Sequence, residues 1–327
     1  MSTITPSDIT ALIPAARRAI GDAVYRTPLE PSAWLSERAG ADVRLKLECY
    51  QPTGSFKVRG ATAAIAQLSS DERERGVVTA SAGNHGLGVA YAASRLGVRA
   101  TVVVPDNASE AKVAALRRFP IDLQRGGPSY DTAERKALDL ARSEGFVFVS
   151  PYNDPWVVAG QGSIGVEMLE DFPELDVALV PVGGGGMISG VGCWLKALNP
   201  SIRVIGVQSA ASPAMEQALK AGKLVEIPIK PTMADGLAAN IQPGSITFDL
   251  ARQVVDEVVL VGEDEITSAV YATLQELHLA LEGSAVVPIA ALLNGGLSGI
   301  SGRRVAAVIT GRNIAVQRLV EIAREHS

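Results

Sequence analysis

Cysteine is scarce in this sequence, and its scarcity argues against two kinds of protein. Cys49 and Cys193 are the only cysteines among 327 residues, and they lie far apart without CxxC spacing. Neither a disulfide framework nor a thiolate metal site is therefore indicated, and we expect a reducing, cytoplasmic compartment.

An excess of positive charge and long apolar runs are also missing. The formal net charge is −5, so there is no electrostatic case for nucleic acid or an acidic membrane as the main partner. The opening residues MSTITPSDIT lack the basic and apolar segments of a signal peptide, and runs such as VALVPV are too short to cross a bilayer. No segment of about a hundred residues follows the last predicted helix, so we expect no C-terminal regulatory domain.

What the chain contains instead is an alternation of short apolar strands with helices, at 47% hydrophobic and 5% aromatic residues. One alternation runs from Gly76 to the strand FVFV, and a second begins at Trp156. The pattern predicts an α/β fold with two open, twisted, mostly parallel sheets flanked by helices, and an active site in the cleft between two domains. We expect a small domain (76–149) inserted in a large domain (1–75 and 150–327). A loop is predicted over 227–246, and helices over 263–281 and 312–324.

Four consecutive glycines, Gly183 to Gly186, separate the strand VALVPV from a helix predicted to begin near Met187. Such a run is costly in conformational entropy, and it is useful where backbone amides must approach an anion at a helix N-terminus. A tight turn alone needs fewer glycines. The chain has no GxxxxGK[ST], and the next strand ends in Gln208 instead of the acid of a dinucleotide site. The turn therefore predicts a site for a cofactor monophosphate or a mononucleotide.

Two more turns of small residues follow predicted strands. In ASAGNHGLG, the amides around Ser81 and Asn84 can bind a carboxylate or a phenolic oxygen, although helix capping alone explains one polar residue there. In VITGRNIAV, Thr310 ends a buried strand and can hydrogen-bond a ring nitrogen.

Lys57, in YQPTGSFKVRGA, stands where a helix is predicted to begin. It is either an ordinary surface lysine or an amine needed for chemistry. An amine beside an apolar wall has a lowered pKa and can form a Schiff base. Taken with the phosphate turn, Asn84 and Thr310, Lys57 indicates pyridoxal 5′-phosphate as the cofactor.

These segments resemble those of the fold-type II (tryptophan-synthase-β-like) pyridoxal-phosphate enzymes, and within them the serine/threonine dehydratases and serine racemase. The matching motifs occur in the family's order over nearly the whole chain: QPTGSFKVRGA, SAGNHG, AGQGSIGVE, PVGGGGMISG, ADGLA, LEGSA and TGRN. The resemblance implies that Lys57 bonds the cofactor, beside Phe56. It further implies these contacts: Asn84 with the 3′-oxygen, Gly183, Gly184, Gly185, Gly186 and Met187 with the phosphate, Thr310 with the ring nitrogen, Glu282 near the ring, and the amides of Ser81, Ala82, Gly83, Asn84 and His85 with the substrate carboxylate.

The reaction implied by the resemblance is α,β-elimination from L-threonine, L-serine or a related 3-hydroxy amino acid, giving a 2-oxo acid and ammonia. A neutral Thr310 at the ring nitrogen favours elimination over transamination. Ala82 stands where racemases carry a serine, so racemisation is expected to be poor. The carboxylates of a metal site found in several relatives are replaced by Gln208, Ser212 and Ala214, and no metal is expected there.

Several alternatives stay open at this point. Tyr152 and Ala133 occupy positions that carry polar side chains near the substrate in serine racemase, which allows a larger substrate than serine. The chain also resembles dehydratases of hydroxyectoine breakdown. A racemase or a β-replacement synthase is possible on the same scaffold, and a non-catalytic nucleotide-binding module is the alternative of another class. A homodimer is the family's usual form.

Overall fold

The computed structural model describes residues 4–326 and contains two separate sheets flanked by helices. The strands are β1 (Leu29–Pro31), β2 (Asp42–Lys46), β3 (Val77–Ala80), β4 (Ala100–Val104), β5 (Asp122–Arg125), β6 (Val147–Phe148), β7 (Val177–Pro181), β8 (Arg203–Ser209), β9 (Glu257–Val261) and β10 (Arg304–Val308).

The helices alternate with these strands along the chain. They are α1 (Pro6–Ile20), α2 (Ala33–Ala39), α3 (Lys57–Ala66), α4 (Ser70–Arg75), α5 (Asn84–Leu96), α6 (Glu110–Leu116), α7 (Tyr130–Glu144), α8 (Pro155–Asp171), α9 (Gly186–Leu198), α10 (Ala214–Ala221), α11 (Ile246–Val254), α12 (Glu263–Glu276), α13 (Gly283–Leu293) and α14 (Val316–Glu325). Short 3₁₀ turns lie at Gly21–Ala23, Glu48–Tyr50 and Asp235–Leu237.

The predicted fold class is confirmed by the strand order. The larger sheet has six strands in the order β1-β2-β10-β7-β8-β9, and the smaller has four in the order β5-β4-β3-β6. Only the edge pair β1–β2 is antiparallel among the described strands. Strands β3, β4 and β7 are buried along their whole length, as expected for parallel strands covered by helices on both faces.

Two predicted helices differ from the structure at their ends. The helix expected over 263–281 ends at Glu276, and His278 shortly after it has a positive φ of 55°, which a continuing helix does not allow. The helix expected over 312–324 begins only at Val316. The chain before it instead pairs with the segment that leads into α3, because the N–H of Arg312 donates to the carbonyl of Gly54 at 3.0 Å. The sequence did not predict α2, α4, α11 or the strands β1 and β9.

A buried group of charged side chains joins β2, α3 and α8. The Arg59 guanidinium donates to Glu48 at 2.7 Å and to Glu167 at 2.7 Å, and the Lys46 amine donates to Glu167 at 2.6 Å. All four side chains are buried, and each charge has an opposite partner, which is what makes burial of charges tolerable. Arg59 lies two residues after Lys57 on the same helix, so this group fixes the start of α3 against the larger sheet.

No helix within residues 4–326 is long and apolar enough to cross a membrane. Residues 1–3, which begin the stretch predicted not to be a signal peptide, and residue 327 lie outside the described residues.

Candidate active site

Lys57 is the first residue of α3, and the segment before it is held by the end of β10. The N–H of Phe56 donates to the carbonyl of Thr310 at 3.1 Å, and Ser55 forms an antiparallel bridge with Gly311. The Lys57 amine donates to the carbonyl of Pro151 at 2.9 Å and lies 5.2 Å from the centre of the Phe56 ring. The amine therefore lies against the segment that follows β6 of the smaller sheet, while its helix begins beside the end of β10 of the larger sheet.

Burial lowers the pKa of the Lys57 amine to about 8, and the negative charge of Glu282 opposes the shift only in part. A far larger fraction of this amine is neutral near pH 7 than of an exposed lysine. Only the neutral form has the lone pair that a bond to a carbonyl carbon requires.

The glycine turn between β7 and α9 leaves no room for side chains. Gly185 has a positive φ of 88°. A Cβ at Gly184 would overlap the ring of Tyr152, and one at Gly186 would lie 3.0 Å from the Tyr152 Cα. Helix α9 also begins without a side-chain cap, so its first N–H groups remain available to an anion. The turn fits a phosphate group.

Pro151 and Tyr152 bring the amine and the glycine turn together. The carbonyl of Pro151 accepts from the Lys57 amine, and the next residue packs its ring on Gly184. The Tyr152 hydroxyl accepts from the N–H of Gln242 at 3.0 Å, which fixes the ring. The resemblance to serine racemase implies that Tyr152 occupies a position near the substrate, and the structure adds its contact with the glycine turn.

Thr310 has a buried hydroxyl that lacks a partner. Its side chain is 3% exposed, and no atom within residues 4–326 accepts or donates a hydrogen bond at its Oγ1. Buried hydroxyls are normally paired, so an unpaired one fits a ligand atom. The ring nitrogen of pyridoxal phosphate is an acceptor that this hydroxyl suits. The Oγ of Ser55, on the segment that pairs with Gly311, is also buried and unpaired among the described residues.

Asn84 and Glu282 lie together, although 198 residues separate them in the sequence. The Asn84 Nδ2 donates to the Glu282 Oε1 at 2.7 Å, and the Asn84 Oδ1 accepts from the Asn313 Nδ2 at 2.7 Å. Burial raises the pKa of the Glu282 carboxyl to about 7, Asp235 adds to the shift, and the hydrogen bond from Asn84 opposes it. The helix predicted over 312–324 would carry Asn313 in its first turn, so the part of Asn313 in this site was not predicted. Its position directly after the TGR of the third turn was the available signal.

The start of α5 offers backbone donors. Helix α5 begins at Asn84 without a side-chain cap, so its first N–H groups have no partner inside the helix. The Ser81 Oγ accepts from the N–H of Gly83 at 3.1 Å, and a Cβ at Gly83 would meet nothing within 4 Å. The N–H of Ser81 also has a partner, the carbonyl of Val103 at 3.1 Å, so the assignment of Ser81, Ala82 and Gly83 to the substrate stays a prediction.

His85 is the buried histidine of this loop. Its Nε2 is 3.0 Å from the carbonyl of Val149. Burial, with the charge of Lys57 adding to it, lowers the pKa of the His85 ring to about 3, so the ring is neutral near pH 7. Any contact of His85 with a substrate carboxylate is then through its backbone.

Three other residues singled out from the sequence have buried side chains outside this cluster. The Met187 side chain packs in the core of the larger sheet, which leaves only its backbone for a phosphate. Ala133 is fully buried and packs with Val78 and Ala80 of the smaller sheet. Gln208 is buried, and its Oε1 accepts from the N–H of Glu216 at 3.2 Å. Within residues 4–326 no group of three or more His, Cys, Asp or Glu side chains is placed to hold a metal ion.

The arrangement defines a class of site, in which a buried amine of lowered pKa and a glycine turn at a helix N-terminus contact the same Pro151–Tyr152 segment. The chain belongs to the family of pyridoxal-phosphate dependent enzymes, whose model matches residues 20–311. Pyridoxal 5′-phosphate is accordingly the cofactor, and both the glycine turn and the unpaired Thr310 hydroxyl fit it.

Individual relatives within this family are similar over most of the chain. The L-threonine ammonia-lyase of Thermotoga maritima is 45% identical over 95% of this chain and 77% of its own length. The catabolic L-threonine dehydratase TdcB of Escherichia coli K12 is 38% identical over 97% of this chain and 96% of its own.

Solved structures show the same fold. Maize serine racemase has a TM-score of 0.91 at 32% identity, covering 97% of both chains. The processed form of threonine deaminase isoform 2 from Solanum lycopersicum has a TM-score of 0.92 at 33% identity, covering 99% of this chain and 96% of that one.

Proposed function

We propose that this chain is a threonine ammonia-lyase, an enzyme that converts L-threonine, and L-serine as its smaller analogue, to a 2-oxo acid and ammonia. The observation that carries the proposal is the position of the Lys57 amine, which has a pKa of about 8 and lies against the same Pro151–Tyr152 segment as the glycine turn. The names of the relatives, at 38% to 45% identity over most of the chain, support the choice of threonine.

The bound cofactor supplies an electron sink for the negative charge that develops at the substrate α-carbon. The Lys57 Nζ holds the cofactor in the resting enzyme, and once free it accepts the proton that leaves the α-carbon. An amine with a pKa of about 8 is suited to this exchange, because it takes up and releases a proton near neutral pH. The carbonyl of Pro151 orients the amine by accepting one of its hydrogen bonds.

The polar side chains around the amine hold the reactants in place. The Asn84 Nδ2 keeps one N–H for the phenolic oxygen while its other N–H donates to Glu282. The Thr310 Oγ1 donates to the ring nitrogen without bringing a charge, which favours loss of the substrate hydroxyl over amino-group transfer.

The first N–H groups of α5, which have no partner inside the helix, bind the substrate carboxylate. The substrate hydroxyl leaves with a proton as water, and a water molecule then replaces the amino group. The balance for L-threonine is one 2-oxobutanoate and one ammonia per substrate, with no net use of water.

The test is a panel of L- and D-3-hydroxy amino acids given to the purified holoenzyme, with 2-oxo acid and ammonia both measured. We expect L-threonine to be the best substrate, equal amounts of the two products, and no product from the Lys57→Ala variant. A holoenzyme that releases no 2-oxo acid from L-threonine would contradict the proposal.

Two alternatives make their own predictions in the same panel. If only compounds derived from hydroxyectoine are turned over, the enzyme is instead a dehydratase of hydroxyectoine breakdown. Formation of the D-isomer would indicate a racemase, and because Ala82 replaces the serine of racemases, we expect the Ala82→Ser variant to raise this activity from a low level.

We also propose a domain division, an assembly and a location for the chain. Residues 76–149 form the small domain, an assignment supported by the four strands of the smaller sheet, which all come from Val77 to Phe148. A cytoplasmic homodimer is the expected form, supported by the family resemblance. Light scattering coupled to size-exclusion chromatography tests the dimer.

A further inference from the structure

A chain of hydrogen bonds crosses the site from the loop before α3 to the start of α13. The Asn313 Nδ2 donates to the carbonyl of Thr53 at 2.9 Å and to the Oδ1 of Asn84 at 2.7 Å. The Nδ2 of Asn84 in turn donates to the Oε1 of Glu282 at 2.7 Å. Both N–H groups of Asn313 and one of Asn84 are used in this chain.

The chain removes an ambiguity that every asparagine carries. The two ends of a carboxamide have nearly the same shape, and only their hydrogen-bond partners decide which end is oxygen. The Thr53 carbonyl can only accept, so the end of Asn313 beside it must be the nitrogen. The same nitrogen reaches Asn84, so the end of Asn84 that faces Asn313 must be oxygen.

The opposite end of Asn84 is then the donor, and it faces the interior of the site. Glu282, which receives one of its N–H groups, is buried, whereas Asn313 is exposed to solvent. We propose that Asn313 is a positioning residue that sets the amide of Asn84 so that its NH₂ group, and not its oxygen, is presented to the phenolic oxygen of the cofactor. This rests on the predicted contact of Asn84 with that oxygen.

The backbone around Asn313 explains why it can act in this way. Its side chain lies against Gly54, where a Cβ would be 2.8 Å from the Asn313 Oδ1, and Gly54 has a positive φ of 73°. The loop after β10 stays non-helical up to Ala315, which places Asn313 opposite Thr53 and not on a helix face.

The experiment compares Asn313→Asp with Asn313→Ala by titrating each cofactor-free protein with pyridoxal 5′-phosphate and measuring the dissociation constant. Alanine removes the donor and leaves the Asn84 amide held only by its bond to Glu282, so the cofactor affinity falls by about fivefold, as for one lost hydrogen bond. Aspartate keeps the size of the side chain but only accepts. It therefore competes with Glu282 for the NH₂ of Asn84, and an amide that turns toward the aspartate presents its oxygen to the cofactor. We expect its affinity to fall by roughly a hundredfold, because a donor is replaced by a repelling acceptor.

Which of the two variants binds the cofactor more tightly distinguishes a positioning role of Asn313 from a role in packing alone. A residue that only fills space against Gly54 would tolerate the isosteric aspartate better than alanine, so an Asn313→Asp protein that binds the cofactor as tightly as Asn313→Ala overturns the proposal. Asn199→Asp is the matched control for an added exposed charge, since the Asn199 Oδ1 only accepts, from Ser201 at 3.1 Å and 2.6 Å. Asn199→Asp should bind the cofactor as tightly as the native protein does. A loss of affinity as large as that of Asn313→Asp would overturn the proposal.

A double-mutant cycle with Asn84→Ala separates orientation from direct charge repulsion. We expect Asn84→Ala to weaken cofactor binding and to abolish the difference between aspartate and alanine at position 313. A difference that persists without Asn84 would show a direct effect of charge and overturn the proposal. An unchanged affinity of Asn84→Ala would overturn it as well, by removing its premise. All of these experiments measure cofactor binding without threonine, so their outcome is independent of whether threonine is the substrate.

Discussion

The Thr310→Val variant should change the stability of the cofactor-free protein and its cofactor affinity in opposite directions. The Thr310 hydroxyl is buried and unpaired, a condition that costs about 1 to 3 kcal/mol, and valine has nearly the same shape without the hydroxyl. We expect the free energy of unfolding of the cofactor-free protein to rise by roughly 1 kcal/mol. The holoenzyme loses a donor to the ring nitrogen, so we expect cofactor binding to weaken by about 1 kcal/mol, or roughly fivefold.

The assay is urea unfolding of the cofactor-free protein, followed by titration with pyridoxal 5′-phosphate. Thr62→Val is the matched control, because the Thr62 Oγ1 is also buried and unpaired among the described residues, but lies on α3 away from the predicted cofactor contacts. It should stabilise the protein to a similar extent and leave the cofactor affinity unchanged. A Thr310→Val protein with unchanged cofactor affinity would refute the reasoning, as would equal losses of affinity in both variants.

Two further predictions concern the glycine turn and the lysine. The methyl group of Gly184→Ala would overlap the fixed ring of Tyr152, so the turn must shift. We expect the cofactor affinity, measured by titration, to fall by roughly tenfold. Gly262→Ala is the control, because the nearest atom lies 3.5 Å from its added Cβ, and this variant should bind the cofactor normally. In the cofactor-free protein the pKa of Lys57 is lowered from 10.5 to about 8, so between these pH values the unfolded chain binds more protons at this residue, and Lys57 contributes stability that rises with pH. The buried thiols of Cys49 and Cys193, whose pKa values are raised, act in the opposite direction in both proteins, so chemical unfolding should show a more positive slope of stability against pH in the native protein than in Lys57→Ala, and equal slopes would contradict the assignment.

The elements of the fold were predictable where one local pattern repeats. The buried strands β3, β4 and β7 are continuous apolar runs, and α5 follows its strand through a turn of small residues, so each was predicted near its observed position. The edge strand β9 is only partly buried, and its weaker pattern was missed.

Asn84, Thr310 and the glycine turn follow the carboxyl ends of β3, β10 and β7, where ligands of parallel sheets bind, and local patterns predicted these positions. Lys57 begins α3, as its local pattern also predicted. Local patterns did not predict the contacts between distant segments. The bond from Asn313 to Thr53 spans 260 residues, and the ion pair between Lys46 and Glu167 spans 121. Pairings of this kind depend on how the sheets pack together, and no pattern within a single element encodes them.

The bond between Lys57 and the cofactor is the central claim, and reduction with borohydride tests it most directly. The yellow holoenzyme is reduced and digested, and the peptide that carries the cofactor is identified by mass spectrometry. We expect the label on the peptide that contains Lys57, and a colourless, unlabelled Lys57→Ala protein. A label on any other lysine, or a Lys57→Ala protein that still takes up the label, would contradict the account.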